Sequence, residues 1–242
     1  MDVGYEHERF WERLDRNANS SILAYSGITT TIRSTIASIY YPTADASLDS
    51  RADEYLVGRG LDPDLARGFG WYAAKYNGPR LIVPCVRTDP YAFWQGRLID
   101  GAYNVEDTNY KRWDSPSGPR GDALVYLVPT HLIVDAPLLI VEGPLDALAI
   151  AEHGYDVVAV LGATPPGVVL NHLASIALAT RPLPKVLWIP DKDAVKPAMK
   201  RQQALSNMGV LAIVQMLPGA YKDFAEIPRE ERKEVLEWLL QK

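Results

Sequence analysis

Acidic residues follow two apolar segments of the sequence at the point where each segment ends. Glu142 comes directly after LLIV at 138–141, and Asp191 and Asp193 follow VLWIP at 186–190. Short runs of Val, Ile and Leu that stop at a polar residue are typical of buried parallel strands, which carry the next residue to the carboxyl edge of the sheet. If the two strands are neighbours, the three carboxylates share one crevice although they are far apart in sequence.

Two more carboxylates are candidates for this crevice. Asp146 lies one helical turn after Glu142, so it can face the same site or brace its members. Asp223 lies in the loop after a later strand. Hard divalent cations prefer oxygen ligands, and Mg²⁺ commonly combines one or two carboxylates with waters and substrate phosphates. The pattern predicts a divalent-cation site suited to phosphoryl transfer; the alternative is that each acid is a helix cap or a solvated loop residue.

The elements that would position these residues alternate after Pro137. Strands are predicted within 138–141, 157–162, 185–190 and 210–217, and helices within 144–154, 168–179, 194–208 and 229–240. Strands that alternate with helices imply a parallel sheet with right-handed crossovers. Gly154 and Gly209 stand where helix C-caps are expected.

The preceding residues have a different texture. A helix is predicted from about Asp49 to Arg59, ending at Gly60, and Asp62 with Pro63 is a typical start of a second helix. Three segments from Arg80 onward, RLIVPCV, YAFWQGRLI and ALVYLV, predict a small mixed or antiparallel sheet. The expected organisation is an N-terminal segment 1–48, helical or undetermined, a mixed α/β subdomain 49–136, and a parallel-sheet domain 137–242. The predicted fold class is therefore α/β, with an α+β subdomain first.

Composition limits the classes of protein that this chain can represent. The formal net charge is −5, and residues 51–130 hold equal numbers of acidic and basic residues, so nucleic-acid contacts must come from local clusters. Cys85 is the single cysteine, which excludes an internal disulfide and a cysteine-based zinc module within this sequence. No apolar stretch approaches the length of a membrane span, and the charged N-terminus is unlike a signal peptide. A cytoplasmic protein without membrane contacts is expected.

The acidic motifs resemble those of a known domain. Glu142-Gly143 and Asp191-Lys192-Asp193 are similar to the metal-binding motifs of the Toprim domain, found in topoisomerases, primases and related nucleases. One branch matches further, from about residue 50 to 242: the bacterial and phage DnaG-type DNA primases. The motifs that carry this second likeness, in family order and spacing, are Tyr55-Leu56, Arg59-Gly60-Leu61, Gly96-Arg97, Lys111, Ser115-Pro116, Arg120-Gly121 and Tyr126-Leu127.

The resemblance implies a primase catalytic core, a nucleotidyltransferase that joins ribonucleoside triphosphates into short RNA primers for DNA replication on a single-stranded DNA template. It implies Mg²⁺ or Mn²⁺ as cofactor. The implied metal ligands are Glu142, Asp191, Asp193 and Asp223, and the implied catalytic residues are Glu142, Asp191, Asp193 and Asp146. Nucleotide and template phosphates would be bound by Arg59, Arg97, Lys111 and Arg120, since a guanidinium fork matches a phosphate.

The sequence departs from the family pattern at several positions, which are Val195-Lys196 in place of Ala-Gly, Asp114 in place of Asn, Arg112 in place of an aromatic residue, and Ala225 in place of a second Asp. The zinc-binding module that helps such primases to choose a template is not encoded, so a replicative helicase or a separate zinc module is an expected partner. A bacterial cell is the expected setting, with a phage or mobile element favoured as the source. Two alternatives stay open: a Toprim nuclease that hydrolyses phosphodiesters, and a non-catalytic nucleic-acid-binding accessory protein of replication.

Overall fold

The structure, a computed structural model, describes residues 41–89, 92–99, 111–133, 135–181, 183–219 and 221–241. Most of the expected N-terminal segment 1–48 lies outside the described residues. The described chain divides into two compact units. The first holds its residues up to Gly58 and from Asp62 to Arg120, and the second holds Arg59–Leu61 and everything from Gly121 onward.

The first unit is built on an antiparallel sheet with two helices. Its strands are β1 (Tyr72–Lys75), β2 (Pro79–Cys85), β3 (Phe93–Leu98) and β4 (Trp113–Asp114), paired in that order. The helices are α1 (Asp49–Val57) and α2 (Pro63–Gly68). The Asp62 carboxylate accepts hydrogen bonds from the backbone N–H groups of Asp64 and Leu65, so the predicted N-cap is confirmed.

A buried arginine organises this sheet. Arg80 has no exposed surface, and its guanidinium donates hydrogen bonds to four backbone carbonyls, those of Tyr76, Asn77, Gly96 and Lys111. A Cβ on Gly96 would lie 2.9 Å from Cδ of Arg80, so the side chain passes where only a glycine leaves room. Arg80 is thus a structural residue, and its hydrogen bond to the carbonyl of Lys111 fixes the backbone there.

The second unit is an α/β layer structure around a five-stranded sheet. The strands are β5 (Val125–Leu127), β6 (Leu138–Val141), β7 (Val157–Ala159), β8 (Lys185–Trp188) and β9 (Leu211–Val214), in the spatial order β5-β7-β6-β8-β9. Strands β6 to β9 are mutually parallel, and β5 pairs antiparallel with β7. The assignment of the ALVYLV segment to the first sheet was therefore wrong. The apolar run predicts a strand but carries no information about which strand it pairs with.

Four helices connect and cover this sheet: α3 (Pro144–Ala151), α4 (Gly167–Thr180), α5 (Val195–Asn207) and α6 (Arg232–Gln241). Gly154 and Gly209 have φ of +85° and +83° and lie just beyond the C-cap residues Glu152 and Met208, so the predicted helix ends are confirmed. Strands β6 and β7 and helix α3 are buried along their whole length. The α/β fold class is confirmed. Among the described residues, no helix combines the length and the apolar character needed to cross a membrane.

Candidate active site

The order of the parallel strands creates a crevice at the carboxyl ends of β6 and β8. Strand β6 pairs with β7 on one side and with β8 on the other. The chain passes from β6 to β7 in one direction across the sheet and then returns past β6 to β8 in the opposite direction. Ligands of open α/β sheets bind at such a switch point. Glu142 directly follows β6, and Asp191 follows β8 after two residues. The two strands are neighbours, so the condition for their carboxylates to share one crevice is met.

Glu142 and Asp191 are in direct contact at this crevice. The backbone N–H of Asp191 donates a hydrogen bond to Oε1 of Glu142 at 3.2 Å. Burial, together with the charges of Asp191 and Asp193, raises the pKa of Glu142 to about 7. Burial and the charges of Asp223 and Asp193 raise the pKa of Asp191 to about 6. The fold thus collects carboxylates whose negative charges oppose one another.

Asp146 lies close to these groups, in the first turn of α3. It is buried, and its Oδ1 accepts a hydrogen bond from the backbone N–H of Ala225 at 2.8 Å. Burial is the main reason that its pKa lies well above the ordinary value, and the nearby carboxylates of Asp223, Asp191 and Glu142 add to the effect. Through this hydrogen bond Asp146 fixes the position of the loop that contains Ala225.

Gly143 is required by the position of Asp146. A Cβ added to Gly143 would lie 2.7 Å from Oδ2 of Asp146, closer than real Cβ contacts come. The backbone of Gly143, with φ −109° and ψ 150°, is open to any residue. The glycine after Glu142 therefore serves the close approach of the Asp146 carboxylate, not an unusual backbone conformation.

Asp223 belongs to a short loop that is fastened to the Asp191–Asp193 loop. Its Oδ1 accepts the N–H of Glu226 at 3.0 Å, and Oε2 of Glu226 accepts the N–H of Lys222 at 2.9 Å. The carbonyl of Lys222 accepts the N–H of Lys192 at 2.9 Å. The positive charge of Lys222 lowers the pKa of both Glu142 and Asp191, opposing their burial. At Ala225, where the family pattern has a second Asp, this chain supplies a backbone N–H to Asp146.

Arg232 is a residue that the sequence interpretation missed. It is almost completely buried, and its guanidinium donates hydrogen bonds to four backbone carbonyls, those of Arg59, Gly60, Ala225 and Ile227. The Oε2 of Glu152 lies 3.8 Å away. Ala225 thus binds Asp146 through its N–H and Arg232 through its carbonyl. One feature of the sequence could have identified Arg232: it is an arginine in the first turn of a predicted helix. The helix dipole disfavours a cation there unless the cation has other partners.

The predicted phosphate-binding residues divide between the two units. Arg59 belongs to the unit that holds the carboxylates, and its carbonyl is fixed by Arg232. Arg97 and Lys111 belong to the first unit. Arg97 is only 7% exposed, and its guanidinium lies over the rings of Tyr55 and Trp113, 5.6 Å and 5.5 Å from their centroids. The Lys111 side chain is exposed.

Arg120 is half-buried in the first unit. Burial lowers the pKa of its guanidinium, and the neighbouring Cys85 partly offsets this decrease. Of the two tryptophans near these basic residues, Trp94 is buried in the core against Tyr76, and Trp113 contributes the ring beneath Arg97. The prediction that the basic residues bind phosphates stays a prediction.

The carboxylates suit a hard cation by their chemistry. Every candidate ligand is a carboxylate oxygen. Burial first and mutual repulsion second raise the pKa of Glu142 and Asp191, and a divalent cation would relieve the repulsion. Within the described residues, no group of three or more His, Cys, Asp or Glu side chains forms a ready metal cage. Mg²⁺ does not require one, because it usually takes one or two protein carboxylates and keeps waters and substrate phosphates as the remaining ligands.

Comparison with known proteins identifies the fold. No protein family model matches the sequence, and no curated protein matches it. The primase of Aquifex aeolicus, with zinc-binding and RNA polymerase domains, matches at a TM-score of 0.62 and 21% identity over 90% of this chain and 63% of that one. The RNA polymerase domain of Mycobacterium tuberculosis primase DnaG matches at 0.62 and 16% identity over 93% and 84%.

A phage protein is similar as well. The primase fragment of the bacteriophage T7 primase-helicase matches at a TM-score of 0.51 and 17% identity, over 76% of this chain and 72% of that one. Primase domains of the same T7 protein, bound to an RNA/DNA hybrid together with the T7 DNA polymerase, match at 0.52 and 16% identity over 77% and 90%. This chain therefore has the fold of the RNA polymerase domains of DnaG-type primases.

Proposed function

We propose that this chain is the catalytic core of a DNA primase, which joins ribonucleotides into short RNA primers on single-stranded DNA. The observation that carries the proposal is the placement of Glu142 and Asp191 at the switch point of a sheet whose fold is that of primase RNA polymerase domains. The Toprim-like motifs and the ordered basic motifs of the sequence support the same function. A replicative role in the bacterial cytoplasm, in the chromosomal or phage context, follows from it.

The reaction places the 3′-hydroxyl of one nucleotide against the α-phosphate of the next and releases pyrophosphate. Glu142, Asp191 and Asp193 would hold Mg²⁺ or Mn²⁺, with Asp223 as a further ligand. When bound, such an ion supplies charge for the phosphate oxygens and lowers the cost of activating the hydroxyl.

The protein's own part is positioning and charge balance. Asp146 and Arg232 hold Ala225 from two sides, so the loop that carries Asp223 is fixed against the carboxylates. Lys222 offsets part of the negative charge at Glu142 and Asp191. Arg59, Arg97, Lys111 and Arg120 are proposed to bind nucleotide and template phosphates.

The decisive experiment measures the products made from a labelled single-stranded DNA, ribonucleoside triphosphates and Mn²⁺ or Mg²⁺. We expect elongating RNA products with the wild-type chain and none with Glu142→Gln or Asp191→Asn. Glu54→Gln, which removes an exposed carboxylate in the first unit, is the matched control and should leave synthesis unchanged. Retained synthesis in either site variant would contradict the assignment.

The same assay separates the alternative functions. Shortening of the labelled DNA without RNA synthesis would indicate a nuclease. Binding of DNA with neither reaction would indicate an accessory protein.

We propose further that a zinc-binding module or a replicative helicase supplies template selection, because Cys85 is the single cysteine of this sequence. The chain alone is expected to bind single-stranded DNA with a Kd of about 10⁻⁴ to 10⁻⁶ M. A partner that holds the template should raise primer yield by increasing the effective concentration.

A further inference from the structure

Three exposed lysines lie in a row that starts beside the carboxylates. Lys192 stands between Asp191 and Asp193, and Lys196 and Lys200 lie on the exposed side of α5. We call Lys192, Lys196 and Lys200 the lysine row. The sequence from Ala194 to Lys222 contains no Asp or Glu, so no acidic residue of that stretch balances Lys196 and Lys200, although the whole chain has a net charge of −5. Lys192, by contrast, is flanked by Asp191 and Asp193. Among the described residues the structure gives none of the three an ion pair.

The row begins at the candidate active site and leads away from it. The backbone N–H of Lys192 is bonded to the carbonyl of Lys222, whose charge acts on both Glu142 and Asp191. Lys196 and Lys200 follow at a spacing of one helical turn, about 6 Å along the helix axis. A chain of phosphates that passes the carboxylates would meet these ammonium groups one after another.

Helix stability does not explain Lys196. It is the second residue of α5, close to the positive end of the helix dipole, and the first turn has no acidic residue to compensate. A cation at this place is unfavourable for the isolated helix. The same position is favourable if an anion binds there, because the lysine and the helix dipole then attract the same group.

An apolar depression lies beside Lys192 in the same unit, formed in part by the loop that follows β9. Its lining residues are Pro190, Lys192, Val195, Met216, Leu217, Gly219 and Tyr221. The Met216 side chain is 54% exposed, and Met199, which precedes Lys200 on α5, is 57% exposed. Surfaces of single-strand-binding proteins combine such groups, since bases pack on apolar and aromatic side chains while the backbone follows the basic residues.

We propose that the lysine row and the adjoining depression bind one nucleic-acid strand, with its phosphates on the row and its bases on the apolar side chains, and lead it to the carboxylates. The inference rests on the proposed function and adds a surface to it. The spread of the row over an open surface fits a strand. A nucleoside triphosphate offers the same phosphate chemistry over a shorter length, and the experiment has a separate arm for it.

The test is the double variant Lys196→Ala/Lys200→Ala in the full chain, with binding of a short labelled single-stranded DNA measured over a series of salt concentrations. We expect about tenfold weaker binding at low salt. The slope of log K against log salt should become shallower by about 0.7 for each lysine removed. The thermal midpoint should not fall, because alanine relieves the unfavourable cation at the start of α5.

The matched control is Lys75→Ala/Lys233→Ala, which removes two exposed lysines that lie outside the row. It should leave the DNA affinity and the salt slope unchanged. Equal losses in the two double variants would mean that only bulk charge matters, and this outcome would overturn the proposal. Unchanged DNA affinity in the row variant would overturn it as well.

Two further measurements identify the source of the phosphates and separate this proposal from the primase assignment. If the row variant weakens ATP binding but not DNA binding, the row serves a triphosphate and the strand proposal is wrong. If wild-type chain binds DNA through the row but makes no RNA, the proposed function fails while the row stands. If wild-type chain makes RNA and the row variant equals it in DNA binding and primer yield, only the row proposal fails.

Discussion

Neutralising Glu142 should make the metal-free protein more stable at neutral and alkaline pH. The contact that positions this side chain survives in Glu142→Gln, because the amide oxygen can still accept the N–H of Asp191. The substitution removes only the negative charge, which burial and the charges of Asp191 and Asp193 make unfavourable. The variant therefore isolates the electrostatic cost of assembling the candidate site.

The size of the effect follows from the pKa of Glu142. A rise from the ordinary value of 4.5 to about 7 corresponds to about 3.4 kcal/mol at 1.36 kcal/mol per pH unit. Because the side chain is half-buried and solvent screens part of the repulsion, we expect somewhat less than half of that, ~1.5 kcal/mol. For a chain of this length the difference raises the thermal midpoint by about 3 to 6 °C.

The difference in stability between Glu142→Gln and the wild type depends on pH. Between pH 4.5 and about 7 the folded protein keeps a proton on Glu142 that the unfolded chain releases, so the stability of the wild-type chain falls as the pH rises through this range. Below pH 4.5 the carboxyl is protonated in both states and Glu142→Gln should match the wild type. Above pH 7 the full difference should be present.

The assay is thermal unfolding with a chelator at pH 4 and at pH 8, followed by the same measurement with Mg²⁺ at pH 8. Mg²⁺ should raise the wild-type midpoint more than that of the variant, because it binds the folded site. Glu54→Gln, which removes an exposed carboxylate, is the control and should not raise the midpoint. A Glu142→Gln protein that is less stable than wild type at pH 8, or whose difference is the same at both pH values, would refute the reasoning.

Three further predictions concern residues that support the site and the first unit. Gly143→Ala should reduce primer synthesis at least tenfold and lower the free energy of unfolding by about 1 to 3 kcal/mol, because the new methyl group displaces the Asp146 carboxylate. A wild-type rate of primer synthesis in this variant would contradict the contact. Arg232→Met should cost about 3 to 5 kcal/mol in urea unfolding, since four carbonyls lose their donor; a loss under 1 kcal/mol would contradict its role. Arg97→Lys should keep the charge but lower the thermal midpoint by about 2 to 4 °C as stacking on Trp113 is lost, and an unchanged midpoint would count against that contact.

Local patterns in the sequence were sufficient for most elements of the second unit. Apolar runs that end at Glu142 and Asp191 identified β6 and β8, and the alternation of strands and helices identified the parallel sheet. Gly154 and Gly209 marked helix ends because few other residues adopt a positive φ there. In each case the determining interaction lies within a few residues of sequence, so a single chain carries the signal.

The basic residues were found by motif, and the tertiary structure separates them by environment. Arg97 is enclosed by two rings, whereas Lys111 is exposed, although both are simply basic residues in the sequence. Burial depends on which side chains from distant segments surround a residue. Substitution of Arg97 is therefore expected to change stability as well as affinity, and that of Lys111 to change affinity alone.

The sequence by itself determined which residues could form the site and the strands that deliver them: Glu142 and Asp191 were identified from patterns a few residues long. Only the tertiary structure decided that β5 joins the second sheet, that Ala225 supplies the N–H for Asp146, and that Arg232 donates a hydrogen bond to the carbonyl of Ala225. These contacts are hydrogen bonds to backbone groups, and the partners are 79 residues apart for Asp146 and Ala225 and 7 residues apart for Arg232 and Ala225. Every residue except proline offers the same backbone donor and acceptor, so the partner's identity leaves no trace in the sequence. The partner is chosen by the fold, which brings one particular N–H or carbonyl within reach of a buried charge.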